Sequence, residues 1–239
     1  MEPSFYTRMC RLRLAMGVLI LASPAWAQMM GGGMSPAEIQ QKVTESMQAN
    51  TEAMKHYSWK TRTEIRKDGE VKGTQLSLMR YDSYGNLEKT PMGGSQPPQE
   101  KKRGIRGHIV EKKTEEFKGS VEDLAALAKS YSNLSPAAMQ NFKQNATIGK
   151  KLSGGSDIQV SSKDVVHPGD SMIITIDPAT KKEKRVDISS ALDGNPVTIT
   201  SNFSSLSDGL TYVSDSSISY PKEGLVIRTE NFDYEKQAQ

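Results

Sequence analysis

From Asp157 to the C-terminus the sequence alternates apolar and polar residues in short runs, and a turn signal closes each run. The apolar positions are Met172, Ile174 and Ile176; Val186 and Ile188; Val197, Ile199 and Phe203; Leu210 and Tyr212; Leu225 and Ile227; and Phe232 and Tyr234. The breaks are His167-Pro168-Gly169-Asp170, Asp177-Pro178, Asp193-Gly194-Asn195-Pro196, Asp208-Gly209 and Pro221-Lys222-Glu223-Gly224. A period of two is the signature of a half-buried strand. Short strands at regular spacing pair with their sequence neighbours as hairpins in one large sheet. One face is apolar and the other is rich in Ser, Thr and Lys, which describes an antiparallel sheet with one wet face.

The same alternation occurs earlier. Trp59, Thr61, Thr63 and Ile65 alternate with Lys60, Arg62, Glu64 and Arg66, Asp68-Gly69 is a turn, and Val71 to Tyr81 reads as the returning strand. Tyr84-Gly85-Asn86 marks a further turn, and residues 93–103, with Pro97-Pro98, read as a polar loop. Helical signals flank these strands. Ser35, Pro36 and Glu38 supply an N-cap, a first-turn proline and a capping box, and Met34 and Ile39 form a staple, so a helix is expected from Pro36 to about His56. Ile105 to Lys118 reads as a charged helix that stops at Gly119, and Ser120 with Asp123 restarts one carrying Val121, Leu124, Leu127, Ala128 and Tyr131. Ser135-Pro136 starts a third, with Leu134 and Met139 at staple positions and Phe142 beyond. Residues 35–239 therefore read as one α+β domain: a curved antiparallel β-sheet, an open half-barrel, with an N-terminal helix and a helical insert of about 104–148 covering its apolar face.

The first 27 residues read as a targeting segment. Arg8, Arg11 and Arg13 precede an apolar stretch from Leu14 to Ala22, and Ala25-Trp26-Ala27 has the small-x-small form of a cleavage site before Gln28. Residues 28–34 form a glycine-rich leader. Removing residues 1–27 from the 239 leaves 212, and with three arginines and one glutamate gone the formal charge of +3 falls to about +1. The single cysteine, Cys10, leaves too, so thiolate zinc sites, iron–sulfur clusters and cysteine nucleophiles are excluded. Later apolar runs are too short for a membrane span, and 36% apolar content with a mean hydropathy of −0.57 excludes a multi-span protein. The expected location is the periplasm or the exterior.

The segment Ser171-Met-Ile-Ile-Thr-Ile-Asp-Pro-Ala-Thr-Lys-Lys-Glu-Lys-Arg-Val186 places a strand, an Asp-Pro-x-Thr turn and a returning strand in order. With Ser58 to Met79 as an opening hairpin, it resembles the LolA/LolB-like superfamily of periplasmic lipoprotein carriers. The stretch from Val166 to Val213 also resembles uncharacterised secreted bacterial proteins. The carrier resemblance implies a half-barrel lidded by helices and a cavity for acyl chains. The serine-rich strands Ser201-Asn-Phe-Ser-Ser205 and Ser214-Asp-Ser-Ser-Ile-Ser219 depart from the apolar lining of such carriers, and no individual carrier residue is transferred.

Chemistry-bearing motifs are sparse. His56, His108 and His167 share no metal-ligand spacing, and no phosphate loop or nucleophile elbow occurs. Glu115-Glu116 and Glu122-Asp123 are adjacent on helices, as solvated or capping groups are. Lys101-Lys102-Arg103 with Arg106 is the densest basic cluster, offset by neighbouring glutamates. The expectation is a non-enzymatic exported protein, without metal or cofactor and without a nucleic-acid partner. It binds an apolar ligand, a lipid or a lipoprotein acyl chain between sheet and helices. The candidate wall residues are Trp59, Ile65, Leu76, Leu78, Met172, Ile174, Ile176, Val186, Ile188, Ile199 and Phe203. The alternative is an envelope protein–protein interaction or assembly factor with a filled core and no ligand.

Overall fold

The computed structural model describes residues 52–95, 105–132, 134–150, 157–177, 179–180 and 182–237. The expected targeting segment, the leader and nearly all of the expected helix over 36–56 lie outside them, as does the Lys101-Lys102-Arg103 cluster. Residues 52–54 of that helix are described and are helical.

Ten strands form one sheet: β1 (Tyr57–Lys67), β2 (Glu70–Tyr81), β3 (Leu87–Ser95), β4 (Thr147–Lys150), β5 (Ile158–Lys163), β6 (Ser171–Ile176), β7 (Glu183–Leu192), β8 (Asn195–Ser205), β9 (Thr211–Tyr220) and β10 (Leu225–Lys236). Two helices, α1 (Ile105–Ser132) and α2 (Pro136–Asn145), separate β3 from β4. The strand order is β3-β2-β1-β10-β9-β8-β7-β6-β5-β4. Every neighbouring pair is antiparallel. The sheet is open, with β3 and β4 as its edges. All neighbours but β1 and β10 are sequence-consecutive hairpins. Asp68-Gly69 and Asp193-Gly194 adopt positive φ at both residues (52° and 82°, 50° and 74°), the two-residue turn that matches strand twist.

This order sets the task of α1. The chain leaves the sheet at one edge and re-enters at the other, nine strand spacings away, which is about 43 Å. The 28 residues of α1 are about 42 Å long at 1.5 Å each. The moorings follow the strand order. Lys67 of β1 lies over the Phe117 ring at 5.4 Å, Ser120 Oγ donates to Glu223 in the β9–β10 connection at 2.9 Å, and Tyr131 OH donates to Asp170 in the β5–β6 connection at 2.6 Å while accepting from Ser190 Oγ of β7 at 2.9 Å. From Phe117 to Tyr131 the helix advances about 21 Å, and β1 to β7 is about 19 Å.

Under α1 a single row of side chains crosses the sheet. Met172, Ile188, Ile199, Ile218, Ile227 and Ile65 sit directly opposite one another on β6, β7, β8, β9, β10 and β1. All are buried, and they pack with Val121, Leu124, Leu127, Tyr131 and Phe142 in one core. Opposite residues in an antiparallel pair share a face, so this row fixes the inner face in every strand it crosses.

Three local expectations change. The helix does not stop at Gly119: α1 is continuous through it, and Ser120 donates back to the Glu116 carbonyl. A mid-helix glycine costs about 1 kcal/mol, which the moorings on either side outweigh. The segment from Gly93 is not yet loop, since β3 runs to Ser95. Pro91 is tolerated because β3 is an edge strand, and Gly94 is required because a Cβ there would lie 2.4 Å from the Thr74 carbonyl oxygen. The strand series also begins before Asp157, with β4 at Thr147.

Two stability outcomes follow. A Cβ at Gly119 meets nothing within 4 Å, so Gly119→Ala should raise unfolding free energy by about 1 kcal/mol in urea titration. Leu124 is 0% exposed, and Leu124→Ala should lower it by about 2–5 kcal/mol.

Candidate functional site

The expected wall residues divide into three groups. Ile65, Met172, Ile174, Ile176, Val186, Ile188 and Ile199 are brought together, but in the core that α1 and α2 cover, and Phe203 packs half-buried at its border. Leu124 and Met172 are 0% exposed, and Tyr131 and Phe142 1%, so side chains already occupy this part of the inner face. Trp59 belongs to a second cluster, with Met54, Tyr57, Met79 and Leu210.

Leu76 and Leu78 correct the sequence expectation. They sit opposite Arg62 and Lys60 on the outer face, half-buried among charged side chains. The inner residues of β2 are Gln75, Ser77 and Met79, opposite Thr63, Thr61 and Trp59. Counting leucines put the wrong parity on β2. The register breaks between Ile65 and Arg66, and the inner side of this strand carries polar residues at two of three positions.

A cleft of about 30 Å³ opens on the inner face beyond the α1-covered core. Its apolar wall is Trp59, Met79, Leu87, Val213 and Tyr234; its polar lining is Thr61, Thr63, Lys89, Thr229 and Asn231. Register explains the polar side. The row of inner positions next to the isoleucine row reads Val186, Ser201, Ser216, Thr229, Thr63 and Gln75 across β7, β8, β9, β10, β1 and β2. The inner face thus turns from aliphatic to hydroxyl-bearing.

The lining is held in place. Thr61 Oγ1 donates to Asn231 Oδ1 at 2.7 Å, and Asn231 Nδ2 donates to the Val213 carbonyl at 2.9 Å. Lys89 Nζ donates to Gln75 Oε1 at 3.3 Å. The Trp59 and Tyr234 rings stack 5.5 Å apart at 10°, and Tyr212 meets Tyr234 at 4.2 Å. Burial, with smaller effects from Tyr212 and Tyr81, pushes the Tyr234 phenol far up and keeps it neutral. At the sheet margin Tyr57 OH donates to Asp208, which lowers the Asp208 carboxyl and raises the Tyr57 phenol. Thr61 and Thr63 follow from their alternation with Trp59 along β1, whereas Met79, Leu87, Lys89, Val213, Thr229 and Asn231 have no local signal in the sequence. The usable signal was register with Trp59, which strand pairing alone reveals.

Two buried carboxyls stand apart. Asp170 accepts N–H bonds from Val165, Val166 and His167 and the Tyr131 hydroxyl. Burial pushes its carboxyl up, but these donors outweigh that and hold it below the ordinary range. It anchors the β5–β6 loop to α1, and His167 meets the Tyr131 ring edge-on at 6.4 Å. Glu183 is the opposite case. It lies opposite Ile176 on the inner face, is 4% exposed, and neither carboxyl oxygen has a hydrogen-bond partner among the described residues. Desolvation alone raises its carboxyl well above the ordinary 4.5.

Among the described residues no three His, Cys, Asp or Glu side chains gather as a metal site, and no helix is long and apolar enough to cross a membrane.

No family model matches this sequence, and no curated protein matches it. Solved structures similar to this chain include a DUF1329 family protein from Desulfovibrio piger, at 9% identity and TM-score 0.41, with 85% of this chain and 94% of that one covered. A putative outer membrane lipoprotein-sorting protein domain from Vibrio parahaemolyticus is similar at 10% identity and TM-score 0.40, covering 82% and 91%. A LolA superfamily protein from Nitrosomonas europaea is similar at 11% identity and TM-score 0.35, covering 80% and 93%.

The Glu183 environment gives a signed pH dependence. Its folded-state pKa lies above the unfolded value, so the folded state binds more protons between the two. Its stability contribution is complete below the unfolded value and is lost as pH rises through the folded one. Glu183→Gln should remove that slope, so urea midpoints of wild type fall relative to the variant as pH rises from about 4.5. Parallel midpoint curves would place the carboxyl in water.

Proposed function

We propose that this protein is an exported, non-enzymatic binding protein that seats an apolar chain on the part of its inner sheet face that α1 and α2 do not cover. The observation that carries this reading is the Trp59–Met79–Leu87–Val213–Tyr234 wall, an apolar surface beside the filled core rather than within it. The basic-then-apolar segment ending at Ala25-Trp26-Ala27 supports export. The site differs from the one the sequence suggested, because α1 and α2 fill the isoleucine half of the face and leave the Trp59 half. At about 30 Å³ the cleft admits the end of a chain. A drug-sized ligand needs about 300–1,000 Å³, so entry requires the Leu87 and Lys89 side chains of edge strand β3 to move outward.

That small volume favours one second reading, an envelope interaction or assembly factor whose core is complete without ligand. A single experiment separates the two. Of the two tryptophans, Trp26 lies in the segment expected to be removed, so Trp59 is the sole tryptophan of residues 28–239. Titration of the exported protein with dodecanol or with lipids extracted from its host's envelope should shift Trp59 emission saturably and give a one-to-one adduct in native mass spectrometry. Val213→Phe, which narrows the cleft, should weaken binding at least about tenfold with little change in melting temperature. Constant emission and a clean apo mass across all lipids would sink ligand carriage and leave the interaction reading.

A further inference from the structure

Glu183 is the feature of the inner face that the proposed site does not use. β7 presents Val186 and Ile188 inward to the core and then, across the irregularity at Thr175 and Ile176, presents Glu183 on the same side. Its strand neighbour Ile176 is buried and apolar. Buried polar groups in folded proteins are hydrogen-bonded with few exceptions, and each orphan calls for an explanation. Here, among the described residues, two carboxyl oxygens are orphaned together. Glutamine, leucine or methionine would fill the same volume without carrying an ionisable group, so packing does not account for a carboxyl.

The cleft and this carboxyl lie on one face within reach of one molecule. Val213 of β9 lines the cleft and sits opposite Phe203 of β8, and β7 is the next strand. Two strand spacings from Val213 to the Glu183 strand are about 10 Å, and Phe203 between them is half-buried. An apolar body lying across β9 and β8, with its end in the Trp59 cleft, brings a terminal polar group to β7.

We infer that Glu183 is the polar recognition group of the ligand site, and that the ligand it selects is an apolar chain bearing a basic nitrogen. The inference rests on the apolar-chain reading of the inner face. An ammonium supplies the donors that both carboxyl oxygens lack, and a close ion pair in a dry setting is far stronger than in water. An anionic head group meets repulsion or an unsatisfied acid at the same place. The proton balance is explicit. The neutral carboxylic acid gives its proton to solvent as the alkylammonium arrives, leaving carboxylate against ammonium with one proton released per ligand bound. A hydroxyl or amide head would bind without that release.

The test uses dodecylamine, dodecanol and dodecanoate with the exported protein at about pH 5, where a raised glutamate is still protonated. Trp59 emission reports binding, and calorimetry in buffers of different ionisation enthalpy reports protons. Dodecylamine should bind at least about tenfold more tightly than dodecanol, and close to one proton should appear per amine. Glu183→Gln keeps shape and polarity and should erase both the amine preference and the proton release, while dodecanol binding stays within about twofold. Equal binding of amine and alkanol by wild type, or an amine preference that survives Glu183→Gln, overturns the Glu183 role and leaves chain binding intact. Absence of binding by all three probes overturns the chain-binding reading itself, and the Glu183 role with it.

Discussion

The connection between the two free edges of the sheet is the constraint on which the rest depends. Because β1 pairs with β10, the strand series before the helices and the series after them join side by side, and β3 and β4 end up as opposite edges. One segment must cross the full width to link them. An α-helix is the economical way to cover about 43 Å without leaving backbone groups unpaired. Its apolar stripe then has a defined row of partners, one from each of the six strands β6, β7, β8, β9, β10 and β1. Burying that row is what makes an open sheet with no disulfide among its described residues hold together. The polar moorings at Glu223, Ser190 and Asp170 set where along the strands the helix lies. Asp170 matters most among them, since one carboxylate ties three loop amides and the Tyr131 hydroxyl into a single unit.

A helix about 10 Å wide cannot cover strands of ten to twelve residues along their whole length. The strands therefore carry two covered zones with different chemistry. Beneath α1 the facing residues are isoleucine, valine and Met172. Further along, the same strands carry Ser216, Thr229, Thr63 and Gln75, and then the Trp59 cluster. The candidate site lies where aliphatic covering gives way to aromatic covering. Hydrogen bonds such as Thr61 to Asn231 keep the polar lining satisfied without a ligand. Glu183 breaks that pattern, which is why its chemistry points outside the chain.

Much of the fold was legible from short-range physics. Asp-Gly pairs placed the β1–β2 and β7–β8 turns, and alternation placed β6, β7, β8 and the start of β10, whereas Phe232, opposite Lys60 and under Arg62, faces outward. Ser135 caps α2 as read, accepting from the Ala138 amide at 3.1 Å. What was not legible depends on pairing. Leu76 and Leu78 look like core residues in a strand read alone, yet they belong to the outer face once Trp59 is seen opposite Met79. Gly119 looks like a stop signal, yet contacts on both sides of it carry the helix through. β3 contains a proline and two glycines, and only its place at the edge lets it remain a strand. Of the expected wall residues, all but Leu76 and Leu78 lie on the inner face. The sequence could not say that helix side chains already occupy the space in front of them.

By itself, then, the sequence determined an antiparallel sheet with helices on one face, because alternation, turn residues and helix caps act over a few residues and need no partner. Tertiary structure alone decided which strands become edges, that α1 is unbroken, and which half of the inner face lies beyond the cover of α1 and α2. It also decided that one glutamate is buried opposite Ile176 without a hydrogen-bond partner among the described residues. Those outcomes depend on register across strands far apart in sequence. A shift of one residue in that register exchanges the two faces, and no local signal fixes it.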